Sequence, residues 1–220
     1  MSSTLVIVGA GSPDVVKLID SINSVNPGRY DIAGFLDDDP GKAGTKFMGY
    51  TILGPTDLLT NGYRDCGVVN NVSRDMPTRW KVFRKLQAQG VREFTTLAHP
   101  GVDLRYAEIG AGCIVNEASS IGPDVRMGMQ CVVGIGAIVA HECVIGDCVF
   151  MASGSVLGAR STVGSGVLLG LNSVVIPSII IGESSLVGAG SVVIRNVPAG
   201  KTVFGNPARI VGSRAVMEIV

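Results

Sequence analysis

From Ile109 to Pro198 the apolar and polar positions repeat with a period of six, and the run divides into 15 hexads without insertion or deletion. The first positions, from Ile109, Val115 and Ile121 through to Val193, are all aliphatic or Met. The fifth positions, from Cys113 and Ser119 through to Ser191 and Val197, are all small or β-branched. No charge, amide or proline enters either set, and the second position is Gly in 10 of the 15 hexads. This alternation of one large and one small residue predicts short strands around an interior too narrow for aromatic rings. The second-position glycines are expected to supply the positive φ that a sharp corner needs.

The first hundred residues follow other rules. Leu5 to Val8 is an apolar strand that runs into Gly9-Ala10-Gly11. A helix follows from Pro13, with Val16, Ile19 and Asn23 at helical spacing. A second strand, Asp31 to Leu36, ends in the turn Asp37-Asp38-Asp39-Pro40-Gly41. Val68-Val69 reads as a third strand leading into Asn70-Asn71. Pro77 opens a helix through Gln89 with Trp80, Phe83 and Leu86 as its buried stripe, and Phe94 to Leu97 closes the unit. This order predicts a small parallel α/β domain over residues 1–98, followed by an all-β repeat domain with a C-terminal tail over residues 99–220.

Composition narrows the function. Lys+Arg and Asp+Glu are both 18, so the net charge is zero and a nucleic-acid partner is not expected. No run is long enough to span a membrane, and no leader segment is recognisable. Five cysteines without a CxxC pair point to a reducing compartment, hence the cytoplasm. Cys113, Cys131 and Cys143 fall in inward small-residue slots, where a thiol is apolar filler. The Gly9-x-Gly11 turn sits where bare backbone could hold phosphate oxygens. A dinucleotide fingerprint would need Gly at position 14, which is Asp14, so a nicotinamide cofactor is not expected.

The hexads resemble those of the hexapeptide-repeat acyltransferases. That resemblance implies three hexads per triangular coil of a left-handed parallel β-helix, giving five coils about 24 Å tall. The left hand comes from the resemblance alone, because general crossover statistics favour the right. A short Rossmann-like domain ahead of such coils resembles the group acting on sialic acid, bacillosamine precursors and perosamine. The motifs carrying this are Phe35-Leu36-Asp37-Asp38, Asn70-Asn71, His141-Glu142-Cys143-Val144-Ile145-Gly146, Leu169-Gly170-Leu171-Asn172 and Gly205-Asn206-Pro207-Ala208-Arg209. The first loop departs from the group, reading Gly11-Ser12-Pro13-Asp14 where Gly-Gly-His-Gly or Ser-Gly-His-Gly is common.

The resemblance implies acetyl transfer from acetyl-coenzyme A to an amino group on a nucleotide-linked amino-deoxy sugar, of the UDP-4-amino-4,6-dideoxy type. His141 would be the general base and Glu142 its partner, with no covalent enzyme intermediate and no metal. The Ala159 amide would meet the oxyanion. Gly170, Leu171, Gly188, Ala189 and Gly190 would line the pantetheine arm, with Pro207 and Arg209 near the adenine. Gly9, Gly11, Ser12, Asp37, Asp38 and Asn70 would form the nucleotide-sugar cleft. A homotrimer with each active site between two prisms is implied as well. From the residues themselves, a histidine outside the inward slots is suited to remove a proton near neutrality. Three other readings compete. A sugar O-acetyltransferase of the sialic-acid type would use the same base. A non-catalytic trimeric binding or assembly module would not need His141. A zinc carbonic anhydrase would need three histidines, and the chain has two.

Overall fold

The computed structural model describes residues 3–72 and 75–217. The chain divides into two compact units, Met1–Pro100 and Gly101–Val220.

In the first unit the strands are β1 (Ser3–Val8), β2 (Tyr30–Leu36), β3 (Lys46–Phe47), β4 (Tyr50–Gly54) and β5 (Gly67–Asn70), and the sheet order is β3-β4-β2-β1-β5. β1 pairs in parallel with both β2 and β5, and β4 is parallel to β2. Leu5, Val6 and Ile7 are fully buried, as an apolar run central to a parallel sheet should be. Helix α1 (Asp14–Val25) buries Val15, Val16, Leu18, Ile19 and Ile22. Asn23, expected on that stripe, is half-buried, and its amide instead bonds both the N–H and the C=O of Tyr30. After the short helical turn α2 (Leu59–Gly62), helix α3 (Met76–Ala88) buries Trp80, Phe83 and Leu86. Asp75 caps α3, accepting a 2.8 Å bond from the Thr78 N–H. The hairpin of β3 and β4 was not foreseen. Its turn places Met48 at φ 50° and Gly49 at φ 85°, the paired left-handed geometry of a two-residue hairpin loop.

The second unit is a left-handed parallel β-helix. Among the described residues it carries fifteen two-residue strands, β6 in our order (Glu108–Ile109) being the first and Val192–Val193 the last. Each of the first twelve pairs in parallel with the one 18 residues on, as Arg126 with Val144 and Val144 with Thr162. Three stacks of strands therefore form the three walls of a prism. Every fifth-position side chain is buried, and so is every first-position one except Ile109, which is half-buried at the prism's end. The fifth-position thiols donate to carbonyls of the next coil: Cys113 to Gly128, Cys131 to Gly146 and Cys143 to Gly158, at 3.1, 3.2 and 3.3 Å. Ser161 makes the equivalent bond to Ile176, at 3.3 Å. Burial pushes the Cys131 thiol well up, with its neighbour Cys113 adding to the effect, so this sulfur stays protonated filler. Cys148 lies outside those slots yet is also fully buried.

The expectation for the corners needs correction. The left-handed residue is the fourth of the hexad, not the second. Non-glycine residues take it repeatedly, including Asp124 (φ 57°), Glu142 (61°), Arg160 (58°) and Ser178 (63°). The second-position glycines serve close approach between coils. A Cβ on Gly122 would lie 2.6 Å from the His141 nitrogen, and one on Gly170 would lie 2.6 Å from the Ala189 nitrogen. The unit ends in an antiparallel hairpin of Lys201–Gly205 and Ala208–Ser213.

Candidate active site

His141 and Glu142 stand at the third and fourth positions of their hexad, where the chain turns between two walls. The left-handed φ of Glu142 makes the corner, and its N–H donates to the Pro123 carbonyl of the preceding coil at 2.9 Å. The His141 carbonyl in turn accepts the Arg160 N–H of the following coil at 3.0 Å. The backbone of both residues is thereby fixed between neighbouring coils. Their side chains face outward, with 47% and 49% of their surface exposed. His141 Nδ1 and Glu142 Oε2 are 2.7 Å apart. A carboxylate at that distance accepts the Nδ1 proton and leaves Nε2 as the basic nitrogen, free to take a proton from an incoming group. Behind them Cys143 points inward, and burial raises its thiol above the ordinary range. It is no nucleophile there.

Ala159 occupies the same corner one coil further on, and its carbonyl accepts the Ser178 N–H at 2.9 Å. Gly170, Leu171, Gly188, Ala189 and Gly190 fall together at a different corner. There the Gly190 N–H donates to the Leu171 carbonyl at 2.8 Å, and Leu171 is 55% exposed. The residues expected to hold coenzyme A thus sit on two edges of one prism: Ala159 beside His141, the rest on another edge. A Cβ on Gly188 would collide with the Phe204 ring, which covers that glycine. Phe204 was not singled out in the sequence. Pro207 and Arg209 lie at the terminal hairpin, where the exposed Arg209 guanidinium donates to the Ala208 carbonyl at 3.1 Å.

In the first unit the expected cleft residues gather at the carboxyl ends of the strands. The order β2-β1-β5 reverses direction there, between β1 and β5, and such a switch point is a common ligand crevice in open parallel sheets. Gly9 (φ 96°) ends β1, and a Cβ on it would press on Val72 at 3.1 Å. Asn71 ties this loop down by donating to the Gly9 and Ser12 carbonyls, both at 3.0 Å. Pro13 and Asp14 begin α1 directly, and the Ser12 hydroxyl lies 3.4 Å from the Asp14 carboxylate. Gly11 has open space above it.

Asp37, half-buried, and Asp38, exposed, are both held by neighbouring groups. Asp37 accepts the Ala10 N–H at 3.0 Å and pairs with Lys42 at 2.8 Å. Burial alone would raise its pKa, but the bonds from Lys42, Asp39 and Ala10 outweigh this and hold it below 3.8. Asp38 takes both the N–H and the hydroxyl of Thr56 at 2.8 Å and meets Lys85 at 3.0 Å. Its pKa is lowered too: burial opposes ionisation, and the bonds from Thr56 and Lys85 overcome it. Asn70 is fully buried, its amide accepting from Val72 and donating to the Arg79 carbonyl at 3.2 Å each. It does not reach a cleft by its side chain, and Asn71 is the residue that touches the glycine loop. Arg79 is itself fully buried and donates to the carbonyls of Asn70 and Val72 at 2.6 and 3.0 Å. No group of three or more metal-ligating side chains is found among the described residues, nor any helix long and apolar enough to cross a membrane.

Solved structures share this architecture over almost the whole chain. Perosamine N-acetyltransferase of Caulobacter crescentus, as a mutant in complex with CoA and GDP-perosamine, is 27% identical with a TM-score of 0.84, covering 96% of this chain and 98% of that one. WeeI of Acinetobacter baumannii AYE is 26% identical with a TM-score of 0.82, covering 96% and 100%. The chain has the fold of the hexapeptide-repeat sugar acetyltransferases. The acetyltransferase domain of PglB from Neisseria gonorrhoeae FA1090 adds a likeness of fold at 24% identity, with a TM-score of 0.85 over 96% and 100% of the two chains. No protein-family model matches the sequence, and no curated protein does.

Proposed function

We propose that this chain is an acyltransferase that moves acetyl from acetyl-coenzyme A to the amino group of a nucleotide-linked amino-deoxy sugar. The observation that carries the reading is the outward-facing His141–Glu142 pair, locked at 2.7 Å on a corner whose backbone two coils hold fixed. The likeness to perosamine N-acetyltransferase supports the acceptor class, since that enzyme was solved with CoA and GDP-perosamine. The first unit acts in this reading as a Rossmann-like nucleotide-binding domain over residues 1–98, ahead of the acyltransferase domain over 99–220. The edge formed by Gly9, Gly11, Ser12, Asp37 and Asp38 faces the nucleotide-sugar. Asp37 and Asp38 shape that edge through their bonds to Ala10 and Thr56.

The chemistry follows from the pair. A protonated sugar amine has no lone pair to attack with, so the acceptor reacts as the neutral amine, its ammonium proton already lost to solvent. His141 Nε2 takes a proton as the amine nitrogen bonds to the thioester carbonyl carbon. Glu142 holds the imidazole in the required tautomer and stabilises the imidazolium. The carbonyl oxygen becomes an oxyanion, and the Ala159 N–H receives it in this reading. Collapse expels the coenzyme A thiolate, which takes the proton back from His141. The products are the amide and the free thiol, and the enzyme returns to its starting state.

The separation of the expected residues onto two edges of one prism supports a homotrimer. Threefold packing would set the His141 edge of one subunit against the Gly170–Gly190 edge of its neighbour, and coenzyme A would lie between them. The cytoplasm, which supplies acetyl-coenzyme A, is its proposed place. The deciding experiment incubates the protein with acetyl-coenzyme A and a panel of UDP- and GDP-linked 4-amino-4,6-dideoxy sugars, with free sialic acid alongside, and reads the products by mass spectrometry. An acetamido sugar nucleotide is expected. Acetylation of sialic acid alone would reassign the chain to O-acetyl transfer.

A further inference from the structure

The fourth positions of successive coils stack, so Asp124, Glu142, Arg160 and Ser178 form a column beside the third-position column of Pro123, His141, Ala159 and Pro177. Arg160 therefore lies one coil, about 4.8 Å, from Glu142. Its Nη1 is 3.6 Å from Glu142 Oε2, the same oxygen that lies 2.7 Å from His141 Nδ1. One carboxylate oxygen thus lies between a fixed cation and the imidazole. The Arg160 backbone also donates to the His141 carbonyl at 3.0 Å. One residue steadies the base through its main chain and the base's partner through its side chain.

We infer that Arg160 is a positioning residue for the His141–Glu142 pair. The inference rests on the proposed role of His141 as base. The guanidinium keeps the Glu142 carboxylate turned towards Nδ1 and opposes the negative charge of Asp124 from the preceding coil. Asp124 and Arg160 are the charged groups that flank the pair from the adjoining coils, and the Cys143 thiol behind it is buried and neutral.

The test compares Arg160→Gln, Arg160→Lys, Glu142→Gln, the double variant Glu142→Gln/Arg160→Gln and His141→Ala in steady-state acetyl transfer over a pH series. Arg160→Gln is expected to lower kcat about two- to fivefold, the scale of an exposed charge pair. It should leave both KM values unchanged while kcat falls across the pH series. Arg160→Lys should restore the profile, and Arg160→Gln should add nothing in the Glu142→Gln background. A raised KM at unchanged kcat would overturn the inference, because Arg160 would then be holding a substrate phosphate. An unaltered profile in Arg160→Gln, with His141→Ala inactive, would defeat this inference alone. Full turnover by His141→Ala would bring down the base assignment and this inference with it. If Arg160→Gln failed to fold, Arg160→Lys against wild type would still decide: a wild-type profile is expected, and a kcat lowered as far as in Glu142→Gln, or a raised KM, would overturn the inference.

Discussion

Replacing Gly122 with Ala tests how the prism places its base. The new Cβ would lie 2.6 Å from the His141 nitrogen and 2.9 Å from both the Ala140 carbonyl carbon and the His141 Cα. All three are backbone atoms, so no side chain can rotate out of the way. The coil that carries His141 has to lift. Overpacking of this kind costs about 1–3 kcal/mol. For a chain of this size that corresponds to a Tm roughly 3–10 °C lower. The same displacement moves the imidazole by a few tenths of an ångström and is expected to reduce kcat about tenfold, since a 1 Å misplacement can cost about a hundredfold. Gly164→Ala is the control. Its Cβ would meet the Glu183 nitrogen at 2.6 Å, on a corner away from His141, so Tm should fall similarly while kcat holds. Melting curves and initial rates on both variants check this. Gly122→Ala with wild-type Tm and wild-type kcat would refute the close-approach account of these glycines.

Other outcomes follow from the same geometry. Ser161→Ala removes the bond to the Ile176 carbonyl and should cost about 1 kcal/mol in denaturant unfolding. Ser155→Ala should be neutral or slightly stabilising, because the buried Ser155 hydroxyl has no partner among the described residues. Glu142→Gln should reduce kcat about 10- to 100-fold by weakening its hold on the imidazole tautomer. Asp37→Asn should lower Tm at pH 7. The folded pKa of Asp37 is below 3.8, so the ionised form stabilises above that value and the contribution fades as pH falls through the lowered one. The gap in Tm between wild type and Asp37→Asn should therefore close in strong acid.

The repeat domain was legible because its rule is local and strict. Each inward slot is filled by one residue class, and the walls follow from an 18-residue pairing that the hexad phase already implies. What the phase does not show is the backbone angle at each slot. Glycine marks the second position and so points to a left-handed corner there, whereas Glu142, Arg160 and Ser178 adopt it at the fourth without glycine's freedom. Their N–H groups are held by the preceding coil, and a cross-coil bond leaves no trace in composition. The pairing of His141 with Glu142 could be anticipated from adjacency. The approach of Arg160 to Glu142 could not, since it lies one full coil away. Recognising the 18-residue pairing as a contact rule would have found it. In the first domain, strands and helices showed in their apolar stripes, but the hairpin of Lys46–Phe47 and Tyr50–Gly54 opens on a strand of two residues, too short to show a pattern. The bonds that Asp37, Asp38 and Asn70 make within the first unit run to distant sequence positions such as Ala10, Thr56 and Arg79, so they leave no mark in the local sequence.

The most direct measurement is the rate of thiol release from acetyl-coenzyme A in the presence of an amino-sugar nucleotide, wild type against His141→Ala. The account predicts stoichiometric release with N-acetylated sugar by the wild type and a loss of about a hundredfold or more in the variant, with its fold intact by circular dichroism. Equal rates in the two proteins would contradict it.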